Sequence, residues 1–396
     1  MKPKIAIGLE CPLALRGGVS VLVETLIKGL HKDFEIFLMS QDQGPESLPT
    51  DSRHLINGHF PWVTTTRAGS VLYRQLQRRA VQWMVDNHVS ILHLHCGNYG
   101  WGNRYPFASL AREAALAGIQ VVWTDHLIVS PTSGICGENK PAWFKLLLLP
   151  LAWAGKIDQL RHVKVEIAVS DHDLRKLQSW YLPLRSKFKR IYHSRLPESN
   201  ATSHISNNHR EKVILNVGHI AFRKGQHLLA QAFAEIAKDH PNWSLWLAGH
   251  DSGDGCYSEI ERIRGQHKLD QRIVLLGDQC DVYALMQRAS IYVQPSIWEA
   301  LGLALQEALF YGCPAIGSKA GGIPELIDEG KNGFLVETGS VSALREKLGL
   351  LISGTELRNT LAKNSFKSIV KKKMTMAAML EEMASVYHNL QTSAIA

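Results

Sequence analysis

The sequence predicts an α/β protein made of two doubly wound, Rossmann-like domains. Short apolar runs alternate with longer amphipathic stretches along almost the whole chain, the pattern left by parallel strands covered by helices. At 396 residues the chain exceeds what one hydrophobic core usually serves. A stretch rich in Ser and Asn, PESNATSHISNNHR at 197–210, interrupts the pattern near the middle and reads as a linker or exposed loop.

In chain order the first-half strands are KIAIGLE, FEIFLMS, ILHLHC, VVWTDH and VEIAVS. KVILNVG, WSLWLAG, IVLLGD, ASIYVQPS and CPAIGSK repeat the habit in the second half. MTMAAMLEEMASVYHNL, 374–390, carries apolar residues at helical spacing and predicts a last helix with a frayed end. The most membrane-like piece, WFKLLLLPLAWAGK at 143–156, is too short to span a bilayer and contains Pro150. It reads as a buried helix, against the alternative of an interfacial segment anchored by Trp143, Trp153, Lys145 and Lys156.

An apolar content of 45% and a charged content of 20% are those of an ordinary globular protein. The net charge of +8 is confined to one half: residues 1–200 hold 24 Lys plus Arg against 16 Asp plus Glu, and the remainder 20 against 20. That field favours an anionic partner, a phosphorylated substrate or an acidic membrane surface, unless it is only a solvated basic face. Nucleic acid is not expected, because no basic run is interleaved with aromatics and no helix-turn-helix or RNP-like signature occurs. The six cysteines, Cys11, Cys96, Cys136, Cys256, Cys280 and Cys313, form no CxxC pair and read as reduced thiols. MKPKIAIGLE enters a strand at once, without a signal-peptide core, so a cytoplasmic location is expected.

In twisted parallel sheets ligands gather beyond the carboxyl ends of the strands. After ASIYVQPS comes WEALGLALQEAL, which places Glu299 in a loop, a helix start near Gly302 or Leu303, and Glu307 about a turn inside that helix. On one regular helix the two carboxylates would stand roughly 12 Å apart, too far to act on a single bond. They would instead serve different parts of one long ligand. Backbone N–H groups around Ala300, Leu301, Gly302 and Leu303 would favour a diphosphate, and Gly302 would let the backbone come close. A carboxylate accepts two hydrogen bonds from a vicinal diol, so the arrangement describes a nucleotide sugar.

Gly17 and Gly18 follow KIAIGLE and precede a helix, where a second phosphate-cradling turn is chemically reasonable. Asp125 and His126 end VVWTDH; successive strand residues point oppositely, and a single histidine on an apolar run is ordinarily a core residue. DHD, 171–173, has the spacing of a metal-nucleotide site, but Ser170 as an N-cap with acids in the first turn explains it. HLHC, 93–96, lacks a second cluster at zinc spacing and reads as a strand end. No GxGxxG follows a strand, which argues against a nicotinamide or flavin cofactor.

EALGLALQEAL resembles the EGFGLxxxEAMA motif of the retaining GT-B glycosyltransferases of family four, the "glycosyl transferases group 1". The resemblance continues through YGCPAIGSKAGGIPELIDEGKNGFLV, 311–336, and NVGHIAFRKGQHLLAQAF, 216–233. RGGVSVLVETLIKGL, VVWTDHL and IAVSDHDLRKL are similar to the family's first half more loosely. It implies a GT-B fold with the two domains facing an interdomain cleft: residues 1–197 for the acceptor, a linker at 198–210, residues 211–373 for the nucleotide sugar, and a helix at 374–396 crossing back. It also implies that Glu299 holds the donor sugar and Glu307 the ribose, that Lys224 neutralises the diphosphate, and that His126 bonds the donor sugar or the acceptor. Asp125 beside it is a candidate acceptor contact. Where the family has arginine this chain has His219, leaving Arg223, or His219 when protonated, to fill the place. The usual NGVD-like segment is also altered, reading IYHSRLPESN from Ile191.

The implied reaction is metal-independent transfer of a hexose from a UDP-, GDP- or ADP-sugar to a glycan, lipid-linked or small-molecule acceptor, with retention of configuration and no further cofactor. Closure over the linker would exclude water. Glycan, exopolysaccharide or cell-envelope synthesis, at the inner face of the plasma membrane, is the setting suggested by analogy. The alternatives are a catalytically silent nucleotide-sugar-binding protein, for which His219 speaks, and an epimerase or phosphorylase on the same architecture.

Overall fold

The computed structural model describes residues 2–15, 17–63, 70–96, 101, 109–128, 130–131, 141–196, 210–279 and 281–395. Arg16, Cys136, Cys280 and most of the expected linker, 197–209, lie outside these. The chain forms two compact units, Met1–Tyr192 with Met379–Ala396, and His193–Ala378.

The first unit is built on strands β1 (Lys4–Leu9), β2 (Glu35–Ser40), β3 (Ile56–Pro61), β4 (Ile91–Cys96), β5 (Gln120–Asp125), β6 (Val163–Ala168) and β7 (Phe188–Arg190), in the order β3-β2-β1-β4-β5-β6-β7. The second contains β8 (Glu211–Val217), β9 (Ser244–Ala248), β10 (Ile273–Gly277), β11 (Ala289–Gln294), β12 (Ala315–Ser318) and β13 (Gly333–Val336), in the order β10-β9-β8-β11-β12-β13. Every pairing between these strands is parallel. Strand order therefore reverses between β1 and β4 in one sheet and between β8 and β11 in the other, which opens a crevice at the carboxyl ends there.

The central strands are apolar because helices cover both faces; β4 and β11 are buried along their whole length. In the second unit Ile214, Leu245, Ile291 and Ile316 from four strands pack with Leu229 and Phe233 of the Gln226–Ile236 helix and Leu348 of the Val341–Ser353 helix. In the first, Trp62, Trp101 and Trp123 join one core with Leu92 and Leu94. Ser170 caps the Asp171–Trp180 helix by accepting from the Asp173 amide, with Asp171 and Asp173 in the first turn, which accounts for DHD without a ligand.

The stretch read as a buried helix is instead largely exposed. Ala142–His162 is one helix, and only its second half packs into the unit; Trp143, Leu146 and Leu147 stand in solvent. Lys156 is the opposite of an interfacial anchor: it is buried, 2.7 Å from Glu166 and 3.3 Å from Asp125. No helix among the described residues is long and apolar enough to cross a membrane.

The last helix, Met376–Ile395, contributes Tyr387 to the first unit, where its hydroxyl lies 2.6 Å from His93 Nδ1. The other His93 nitrogen meets Thr124 Oγ1 at 2.7 Å, and Phe34 packs edge-on against Tyr387. Burial lowers the His93 pKa to about 3, so the ring is neutral and uses one nitrogen as donor and the other as acceptor. Tyr387→Phe leaves a buried ring nitrogen unpaired and is expected to cost about 1–3 kcal/mol. Urea unfolding checks this; an unchanged midpoint would mean that the hydroxyl does not help to hold the final helix.

Candidate functional site

The second unit's reversal point is where its chemistry collects. β8 leads through Gly218 into the short turn Phe222–Lys224, and Gly225 (φ +73°) starts the following helix. A Cβ at Gly225 would stand 2.1 Å from the Pro295 carbonyl oxygen, so only glycine allows this turn to lie against the loop that follows β11. The Ile297 N–H donates to the Arg223 carbonyl at 2.8 Å, closing the two loops together. Lys224 Nζ is thereby carried to 2.5 Å from Glu299 Oε2.

The same carboxylate oxygen receives Ser296 Oγ at 3.2 Å and Gln294 Nε2 at 3.3 Å. Burial alone would push the Glu299 carboxyl up; Lys224, its hydrogen bond and Arg223 bring it below the ordinary value. Glu299 is accordingly ionised at neutral pH. A third loop fixes it from behind, because the Gly322 N–H donates to the Ala300 carbonyl at 3.1 Å and a Cβ at Gly321 (φ +54°) would fall 1.5 Å from the Glu299 carbonyl oxygen.

Gly302, at φ +99°, turns the chain into the helix Leu303–Phe310, and the Leu301, Gly302 and Leu303 N–H groups find no acceptor among the described residues. Glu307 sits inside this helix but is fully buried, its carboxylate in close contact with Arg195. Burial raises the Glu307 pKa, and Arg195 offsets that only in part. Glu307 Oε2 has no hydrogen-bond partner. Tyr283 and Tyr311, with ring centroids 5.3 Å apart, flank the pair electrostatically. Arg195, which lies in the altered IYHSRL segment, is not among the residues the sequence pointed to.

His219 lies with its ring 4.1 Å from that of His250. Partial burial, His250, Lys224 and Arg223 all lower its pKa. Its environment thus disfavours the protonated donor considered from sequence, leaving a neutral ring with one N–H. The exposed Arg223 side chain contributes its charge to both His219 and Glu299.

In the first unit the Gly17 N–H is engaged internally, at 2.7 Å from the Leu15 carbonyl and 3.0 Å from Ser20 Oγ, whereas Gly18 borders open space. Asp125 requires correction as an acceptor contact. It is buried; Oδ1 takes Trp123 Nε1 at 3.0 Å and Cys96 Sγ at 3.1 Å, and Oδ2 meets Lys156. Despite burial, Lys156 holds the Asp125 pKa down, while burial raises that of Glu166 to about 8. One ammonium therefore balances one carboxylate, and Glu166 carries the proton. His126, just beyond β5, has Nε2 3.0 Å from His95 Nδ1, and burial lowers its pKa to about 4. Glu10, at the end of β1, accepts the Trp101 N–H at 2.6 Å and is raised by burial to about 7. It too escaped the sequence reading, as one more acid closing an apolar strand.

Lys224, Glu299, Gln294 and Ser296 thus form one cluster, with Arg223 and His219 acting on it through charge and Glu307 at the far end of the same loop-helix segment. Among the described residues no three His, Cys, Asp or Glu side chains approach closely enough to hold a metal ion.

The fold is that of two parallel-sheet Rossmann-like units in the GT-B arrangement of strands, as in the glycosyltransferase structures it resembles. HepE of Anabaena, solved in complex with UDP, has a TM-score of 0.74 at 19% identity, covering 98% of this chain and all of that one. A glycosyltransferase from Rickettsia africae gives 0.73 at 18%, over 98% and 99%. By sequence, residues 200–368 match the model of the glycosyl transferases group 1 family. Alpha-D-kanosaminyltransferase of Streptomyces kanamyceticus is 21% identical over 87% of this chain and 86% of its own. N-acetyl-alpha-D-glucosaminyl L-malate synthase of Bacillus anthracis is 26% identical over 46% of each chain. This chain spans about half the length, or less, of the first curated relatives it matches.

Two outcomes follow from the geometry. Gly321→Ala forces a side chain into the Glu299 carbonyl at a left-handed φ, and a loss of about 2 kcal/mol or more is expected in thermal unfolding. Arg195→Leu removes the only cation paired with Glu307 among the described residues, so the Glu307 pKa rises further and stability falls by about 3 kcal/mol at neutral pH. Since protonation then relieves the buried charge, the deficit relative to the natural protein should shrink as pH falls through the raised pKa. Denaturation curves across pH, with carbonyl NMR of Glu307, read both effects.

Proposed function

We propose that this protein is a retaining glycosyltransferase that moves a sugar from a nucleotide diphosphate donor to an acceptor hydroxyl in glycan synthesis. The observation that carries the reading is the Lys224–Glu299 pair, set at the strand-order reversal beside the amide-lined turn at 301–303. Ionised Glu299 can accept hydrogen bonds from two donor-sugar hydroxyls. Lys224 can then share its charge with the diphosphate as negative charge builds on the leaving group. The turn amides serve the same oxygens. No metal is assigned a part, since an ammonium and the amides meet the charge.

Glu307 is assigned to the ribose diol, through its unpartnered Oε2. Uridine is the preferred base, supported by the UDP and UDP-glucose complexes of HepE. His126, neutral at physiological pH, is assigned to sugar or acceptor hydroxyls in the first unit, and Gly18 rather than Gly17 to anion contact there. We assign the bond-breaking step to same-face substitution: the departing phosphate oxygen takes the acceptor's proton as the acceptor oxygen bonds the anomeric carbon.

A second reading, binding without turnover, is favoured by the Arg195 cap on Glu307 and the His219 departure. Calorimetry with UDP and assays with UDP-glucose over a panel of acceptors separate the two. Lys224→Ala is expected to reduce turnover about a hundredfold or more, and Glu299→Gln to weaken sugar-dependent affinity, with full activity kept in chelator. The product's anomeric coupling should show retention. An inverted product, or turnover indifferent to both substitutions, defeats the proposal; binding with no turnover on any acceptor supports the second reading.

A further inference from the structure

The Ala142–His162 helix leaves much of its apolar surface in water. Trp143, Leu146, Leu147, Pro150, Leu151 and Ala154 recur at the i, i+3, i+4, i+7, i+8, i+11 spacing of a core-facing stripe, yet all six are exposed. Trp143 is 65%, Leu146 69% and Leu147 70% accessible. The residues turned inward further along include Lys156, Asp158 and Gln159. A contiguous apolar surface of this kind marks a contact with an apolar phase or partner.

The surroundings say which. From Ala142 to Gly155 the helix carries a single ionisable group, Lys145. Trp153 stacks on Tyr181 with ring centroids 6.3 Å apart, which joins the helix to the next segment of the unit. There Leu182, 64% accessible, extends the apolar surface. Between Leu174 and Tyr192 lie six Lys or Arg and no Asp or Glu, with Arg175 and Arg185 exposed. The whole unit holds 23 Lys plus Arg against 17 Asp plus Glu. An apolar centre with a basic margin complements anionic headgroups over acyl chains. A symmetric pairing of two copies through this face would bring like charges together. The exposed stretch of about 14 residues is roughly 20 Å long, too short to span a bilayer, so it would lie in the interface plane.

We propose that the first half of the Ala142–His162 helix, with Leu182 and Arg185, seats the first unit on an anionic lipid bilayer. The test is flotation of the full chain with vesicles of phosphatidylglycerol and phosphatidylcholine, or of phosphatidylcholine alone, at low and high salt. The natural protein should float with the anionic vesicles and be released by salt. Leu146→Glu with Leu147→Glu should abolish flotation, and Arg185→Glu should weaken it roughly fivefold. These side chains are exposed, so thermal unfolding should be unchanged. Trp143→Phe should reduce quenching of tryptophan fluorescence by brominated lipid. Flotation that survives the glutamates, or equal flotation with neutral vesicles, overturns the proposal. So does a dimer, seen by light scattering, that the glutamates dissolve.

Discussion

The Lys224–Glu299 ion pair is the constraint around which the second unit's functional end is arranged. Neither partner belongs to a regular element. One leaves β8 in a short turn, the other follows β11, and neither loop would hold its side chain alone. They are held because backbone meets backbone: the Ile297 N–H on the Arg223 carbonyl, Gly225 under Pro295, Gly321 under Glu299. The glycines matter here as absent side chains, since each contact distance is shorter than any Cβ tolerates. Parallel strands supply the rigid base, and reversal of strand order supplies the gap into which both loops fold.

Four largely buried carboxylates show different ways of meeting charge. Glu299 has a strong resident cation and two neutral donors, so its pKa falls in spite of burial. Glu307 has Arg195 on one side and an unpaired oxygen on the other, and its pKa stays raised. Asp125 and Glu166 share Lys156, and only one of them is charged. In the last arrangement both Asp125 oxygens are occupied, while Glu166 Oε2, like Glu307 Oε2, is buried without a hydrogen-bond partner. Glu299 differs from both in having its charge met by a resident ammonium and two neutral donors.

Much of this was legible in the sequence because it rests on period and spacing. Nine of the ten apolar runs are interior strands and the tenth, IVLLGD, is the edge strand β10; the WEALGLALQEAL stretch placed the loop, the glycine start and the helix in the observed order. The strands that were not anticipated, β3, β7 and β13, all lie at sheet edges. An edge strand has one neighbour and one wet margin, so INGHFP and FKR carry no continuous apolar run. Arg195 was illegible for another reason: its partner lies 112 positions away, and nothing local to either residue announces an ion pair.

The 143–156 stretch shows where hydrophobicity misleads as a guide to burial. An apolar helix must be covered, but sequence cannot say by what. Here the chain spends its own packing on the second half, where Lys156 and Asp158 find Glu166, Asp125 and Arg112, and leaves the leucine-rich half without cover from the unit. No residue from 142 to 151 is buried on any side of the helix, so rotation about its axis would not seat Leu146 and Leu147 in the core. It would part Lys156 from both carboxylates, and breaking such a buried pair costs about 3–5 kcal/mol. The orientation is thus fixed by the second half of the helix, and the leucine-rich half follows it into solvent.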